Sequence, residues 1–94
     1  VETLSVDKHL TILKFYTKEC VPCKNINLFW NDLIGEISYA NFESVDSEEQ
    51  PELATKFRVR SVPTFVALDI DGNVMGVLTN SQTKASLTKW IEGF

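Results

Sequence analysis

The sequence predicts an α/β fold: a mixed central sheet of four strands, five if the lead-in also pairs, flanked by helices. Two observations carry that prediction. Up to residue 57 the apolar pattern reads strand, helix, strand, helix, which is a parallel β-α-β unit and one further helix. From residue 64 it reads two strands joined by a tight turn, then an amphipathic helix, which adds an antiparallel pair to the same sheet. The 94 residues are read as one domain, 1–94, because a chain this short buries only about two-thirds of its unfolded surface and supports a single core.

The elements follow in order. Residues 1–9 are either a short strand or an irregular lead-in, so the N-terminal part of the fold is read as shortened. Residues 10–16, LTILKFY, are apolar and β-rich except for Lys14, the pattern of a strand buried on both faces. Ile26, Phe29, Trp30, Leu33, Ile34 and Ile37 recur at three- and four-residue spacing, so a helix is expected from about Cys23 to Ile34 with Gly35 as its C-terminal cap. Residues 40–46, ANFESVD, read as a second strand, and PELATKF from Pro51 as a short helix with proline in its first turn. Residues 64–70 and 74–78 read as a hairpin across Asp71-Gly72-Asn73, and a last helix starts from a Ser81 or Thr83 cap with Leu87, Trp90, Ile91 and Phe94 on one face.

Composition removes several functions. A net charge of −4 with nine scattered basic residues excludes a nucleic-acid binder, which needs clustered Lys and Arg. The longest basic grouping is Arg58 and Arg60. No apolar run reaches the ~20 residues of a membrane span, and no signal-peptide core is visible. A monomer in the cytoplasm is therefore expected, unless a leader was removed ahead of Val1. The acidic group Asp46, Glu48 and Glu49 reads as a solvated loop and helix start, and His9 as a surface residue.

The only two cysteines, Cys20 and Cys23, stand three positions apart. A disulfide between them would close almost no loop and would be nearly useless as a staple. Zinc needs about four ligands, and only His9 could join the two thiols, so no metal is expected. What remains is redox chemistry, or two cysteines with no role. The pair lies between a buried strand and a helix start, where free N–H groups and the dipole favour an anion. That lowers a thiol pKa, and the thiolate is the attacking species in disulfide exchange. Cys20, at the cap and facing outward, is the expected nucleophile, with Cys23 resolving and Pro22 restraining the backbone between them. Val62-Pro63-Thr64 heads a strand, where proline either starts an edge or forms a cis turn.

At ECVPCK (19–24), PELATKFRVRSVPTF (51–65), the DGN turn and the terminal helix, the sequence resembles the thioredoxin family. The resemblance implies a thioredoxin fold, with Pro63 cis and packed beside Cys20 and Cys23. It also implies that the Val62 backbone pairs with an extended substrate chain, Val21 and Pro22 flanking it. The departures concern tuning. The family motif WCGPC has Glu19 in place of its Trp and Val21 in place of its Gly. A carboxylate at Glu19 is expected either to raise the Cys20 pKa somewhat or to be a solvated surface charge. Lys14 stands six residues before Cys20, where the family has a buried aspartate. The favoured expectation is that its head snorkels to solvent. The competing ones are a pairing with Glu43, or replacement of the aspartate as base or as a charge stabilising the Cys23 thiolate. Asn80 aligns with a glycine beside the family's active site.

The resulting expectation is a thiol–disulfide oxidoreductase that reduces protein disulfides. Its redox-active disulfide is the only cofactor expected, and an upstream reductase of the thioredoxin-reductase type supplies electrons, since no Rossmann fingerprint is present. The alternatives are a glutathione-dependent, glutaredoxin-like reductant and a non-catalytic interaction module.

Overall fold

A computed structural model describes residues 10–94. The lead-in, with the expectations for a fifth strand, a shortened N-terminus and His9, lies outside the described residues. The elements are β1 (Leu10–Tyr16), α1 (Val21–Glu36), β2 (Ala40–Asp46), α2 (Pro51–Lys56), β3 (Thr64–Leu68), β4 (Val74–Thr79) and α3 (Lys84–Glu92). They form a four-stranded sheet in the order β2-β1-β3-β4. β1 pairs parallel with β2 and antiparallel with β3, and β4 pairs antiparallel with β3. The mixed sheet expected from the order of apolar patterns is therefore the one observed.

β1 is central because it is apolar on both faces. Leu10 and Ile12 point into a core with Ile26, Trp30 and Leu33 of α1, Phe65 and Ala67 of β3, and Leu87 and Ile91 of α3. Leu13 and Phe15 point the other way, to Val45, Val66 and, from α2 and its exit, Leu53, Ala54 and Phe57. The period-two alternation of a strand thus feeds two layers. Trp30 ties the larger layer together, edge-on to Phe42 at 5.4 Å and tilted against Phe65 at 6.2 Å.

Several boundaries differ from the sequence reading, β4 and α2 by a single residue. α1 begins two residues earlier, at Val21, and runs through Gly35 to Glu36. Ile37, not Gly35, is the cap: it is buried, and its N–H closes on the Leu33 carbonyl at 3.0 Å. Burial of Ile37 on the core outweighs the helix-ending preference of a glycine whose surroundings are open. β3 ends at Leu68 rather than residue 70, because Asp69 leaves the ladder to organise the turn. Its Oδ1 accepts from the N–H groups of Asp71 and Asn73 at 2.9 and 2.8 Å, and Gly72 takes φ +87°. The pairing also slips between Ala67 and Leu68, which leaves Met75 as the extra residue of a bulge.

The last helix starts at Thr83 as a full capping box: Thr83 Oγ1 accepts the Ser86 N–H at 3.0 Å, and the Thr83 N–H donates to Ser86 Oγ at 2.9 Å. Lys84 pairs with Glu36, joining the start of α3 to the end of α1. Leu87 and Ile91 are buried as expected. Phe94 lies beyond the helix and stacks edge-on with Trp90 at 5.1 Å. Gly76 makes room for it, since a Cβ there would come within 2.8 Å of the Phe94 ring. No described helix is long and apolar enough to cross a membrane.

Candidate functional site

The sheet gathers four loops at one end. β1 leaves it at Tyr16, and the Phe15↔Thr64 and Thr64↔Thr79 registers bring the head of β3 and the end of β4 alongside. The turn after β2 joins them, with the Ser47 N–H donating to the Tyr16 carbonyl at 2.9 Å.

The first of these loops makes Cys20 the N-cap of α1. Its N–H bonds the Thr17 carbonyl at 3.3 Å, and it adopts extended backbone (φ −78°, ψ 107°). Its Sγ accepts the Cys23 N–H at 3.1 Å, the bond a serine or aspartate oxygen makes at an ordinary cap. Pro22 falls in the first turn, where a missing N–H leaves no partner unsatisfied. No acidic residue occupies that turn. Glu19 lies just outside it and is exposed. Cys20 and Cys23 are joined as a disulfide with a Cα–Cα distance of 5.2 Å. The expectation that Cys20 faces outward is corrected: it is 7% exposed against 2% for Cys23, because the disulfide draws its Sγ back over the first turn. Val21, 66% exposed, is the outward residue of the motif.

The second loop carries a cis peptide bond between Val62 and Pro63. Pro63 is fully buried and Val62 partly so. The Pro63 carbonyl accepts the Asn80 N–H at 3.2 Å. Asn80 has φ +77°, a left-handed conformation that glycine enters freely and asparagine better than most residues. The asparagine aligned with a family glycine thus keeps that backbone shape. Neither the N–H nor the C=O of Val62 has a backbone partner among the described residues.

Lys14 departs from the favoured expectation and from one of its competitors. It is 3% exposed, so its head does not reach solvent. Glu43 is not its partner: Lys14 registers with Ser44, while Glu43 registers with Leu13 and lies on the opposite face. Nζ instead donates to Asn27 Oδ1 at 2.5 Å and sits over the Trp30 ring, 4.6 Å from its centroid, with Tyr16 at 5.6 Å. Cys23, Asn27 and Trp30 are spaced i, i+4, i+7 and form one stripe of α1, so the ammonium lies beneath the helix whose first turn holds the redox pair. Burial pushes its pKa below the ordinary lysine value. Asp46, on the same sheet face, is also buried rather than solvated. Its Oδ1 accepts from the N–H groups of Glu48 and Glu49 at 2.9 and 3.3 Å, which caps the turn into α2.

The sequence reading passed over Asn27 and treated Trp30 as packing alone. The helical stripe from Cys23 was the available signal for both. Ser47 was also passed over. Its Oγ is buried with no hydrogen-bond partner among the described residues, and nothing in the local sequence marks it. No group of side chains suited to a metal occurs among the described residues.

A β-α-β unit with an appended hairpin, a Cys-x-x-Cys disulfide at a helix cap and a cis-proline just ahead of the strand that pairs with β1 define a thioredoxin-type redox protein. The chain belongs to the thioredoxin family, whose family model matches residues 2–93. It is 30% identical over 89 residues to a thioredoxin of Staphylococcus saprophyticus, covering 94% of this chain and 85% of that one. Its fold superposes on a thioredoxin variant from Halobacterium salinarum with a TM-score of 0.86 at 26% identity, covering 98% of this chain and 80% of the other. Mitochondrial thioredoxin 3 of Saccharomyces cerevisiae gives 0.83 at 27% identity, covering 99% and 88%.

Proposed function

We propose that this protein reduces disulfides in other proteins by dithiol exchange, with Cys20 attacking and Cys23 resolving. The observation that carries the reading is the cap geometry: Cys20 Sγ already accepts the Cys23 N–H at the positive end of α1, so the same donor and dipole await a thiolate there.

In the reduced state the Cys20 thiolate attacks one sulfur of the substrate disulfide. A new S–S bond forms to Cys20, and the other substrate sulfur leaves as thiolate and takes up a proton. Cys23 then loses its proton and attacks Cys20 Sγ. The Cys20–Cys23 bond forms, the mixed disulfide breaks, and the second substrate thiol departs. Two electrons have passed to the substrate, and a separate reductase of the thioredoxin-reductase type returns them. Such a couple belongs in a reducing compartment, and we assign it to the cytoplasm.

Substrate would lie in extended form against Val62, whose N–H and C=O have no backbone partner among the described residues and offer main-chain bonds, with Pro63 shaping the loop and Val21 and Pro22 giving an apolar rim. Lys14 tunes the couple from below, since a cation beneath the helix favours a thiolate at its first turn. Glu19 acts from outside the cap in the opposite sense.

Reduction of a disulfide-bonded protein, with thioredoxin reductase and NADPH as the electron source, tests the reading. Cys20→Ser is expected to abolish turnover, and Cys23→Ser to accumulate a mixed disulfide on Cys20. A reduction potential near the thioredoxin value of about −270 mV would support a reductant, and one near about −120 mV an oxidant. Activity with glutathione and glutathione reductase alone would overturn the choice of reductase. Full biological function in Cys20→Ser would mean a non-catalytic module.

A further inference from the structure

Two neighbouring depressions run away from Val62. The first, about 180 Å³, is lined by Thr17, Ser47, Arg60 and Val62 among others. The second, about 380 Å³, is lined by Thr55, Arg58 and Arg60 among others, and the two share Val59 and Arg60. Together they make a trough that starts at the cis-proline loop and ends at Arg58.

The trough is rich in donors and has no carboxylate in its lining. Arg58 and Arg60 are exposed, and neither makes an ion pair among the described residues, although the chain has thirteen acidic residues to nine basic ones. Ser47 lines the first depression, although its Oγ, the single buried side-chain polar atom without a partner among the described residues, is itself turned inward from solvent. The carboxylates closest in sequence are otherwise placed. Asp46 caps its turn and Glu49 faces Lys18 at 3.3 Å. Glu48 is exposed and lines neither depression. Arg58 holds φ +58°, which no glycine is present to ease.

Unpaired, exposed guanidinium groups in a lining without carboxylates call for an acceptor-only ligand with planar, paired oxygens, which is a carboxylate. We propose that the trough is a specificity site for an acidic residue, an Asp or Glu flanking the disulfide-bonded cysteine of the protein substrate, bound by Arg60 with Arg58 extending the positive rim. The inference rests on the reading of the chain as a protein-disulfide reductase. It supplies that reading with a substrate class. An extended segment rises about 3.3 Å per residue, so a chain paired at Val62 carries the side chains one or two positions from its cysteine along the trough. The site also counters the net charge of −4, which would otherwise repel acidic partners.

The test uses three disulfide peptides that differ only in flanking residues, acidic, uncharged or basic, with kcat/KM for their reduction as the readout. The acidic peptide is expected to be preferred over the basic one by about tenfold at low salt, the size of one charge-assisted hydrogen bond. That ratio should fall toward one in about 0.5 M salt. It should also fall in the double variant Arg58→Gln with Arg60→Gln, and Arg60→Glu should invert it. Because the ratio is read within each variant, a general loss of activity cancels. Equal reduction of all three peptides by the unaltered protein would overturn the specificity site and leave the reductase reading standing, as would a preference that survives the double variant. Failure to reduce any of the peptides would remove both.

Discussion

Lys14 brings a charge under α1 with no carboxylate among the described residues to meet it. The Asn27 carbonyl and the Trp30 and Tyr16 rings are its partners, and they are weaker than an anion. Its folded pKa is therefore lowered, and the sign for stability follows. Between the folded pKa and the unfolded value near 10.5 the unfolded chain binds more protons, so stability rises with pH across that window. Below it the burial cost is present in full. Lys14→Met is expected to raise stability by about 1 kcal/mol at pH 7, with a gain in Tm of about 4–8 °C that shrinks as pH approaches 10. Thermal melts at pH 7 and 10 check this. The pH profile of substrate reduction in the same variant checks the tuning role, since an unchanged profile would end it.

The position of Lys14 also shows what a sequence can and cannot carry at this scale. Strand parity places Lys14 on one face with Leu10, Ile12 and Tyr16, opposite Leu13, and the same parity moves Glu43 away from it. Which polar atom on α1 meets the ammonium depends on how the helix is rotated on the sheet, and no local pattern holds that. Ser47 is harder still, because an unsatisfied hydroxyl is a property of three loops at once. Cys20 and Cys23 were legible because their chemistry depends on spacing and on a strand-to-helix junction, both of which are local.

Among the elements, β1 and β2 match their sequence ranges residue for residue, since an apolar run broken by turns leaves little freedom. The helix end at Gly35 and the strand end at residue 70 were misread for one reason: a longer-range or side-chain interaction overrode the local signal. For Gly35 it is Ile37 returning to the core. For the hairpin it is the Asp69 carboxylate. Hydrogen bonds from the Asn73 and Asp71 backbone hold the Asp69 pKa below the usual carboxylate value. A lowered carboxylate pKa stabilises above the unfolded value near 3.9, and that stabilisation is lost as pH falls through the folded one. Asp69→Ala is expected to lower Tm at pH 7 and to lose much of that effect at pH 3, as measured by circular dichroism.

For the molecule as a whole, stability rests on the larger core layer, where α1 and α3 meet the sheet. Leu87 is fully buried there. Leu87→Ala is expected to cost about 2–5 kcal/mol, a large share of the about 5–15 kcal/mol available to a domain. Urea denaturation would show a lowered midpoint with an unchanged slope. The disulfide contributes little by comparison. A ring of four residues restrains the unfolded chain hardly at all, so the redox pair can open and close without putting the fold at risk.

β1 is bonded to a neighbour on each side, and Cys20 hangs from its end. The central strand of such a sheet is the last part to exchange its amide protons, opening only when everything opens. Residues 59–62, on the side where substrate is proposed to bind, belong instead to a loop outside the ladder. The protein therefore joins a backbone paired on both sides to one outside the ladder at the same end of the sheet. The redox pair follows directly on a strand bonded on both sides, and the surface proposed to adapt to each partner is drawn from an unpaired loop. Partners can change without the reacting atoms being moved.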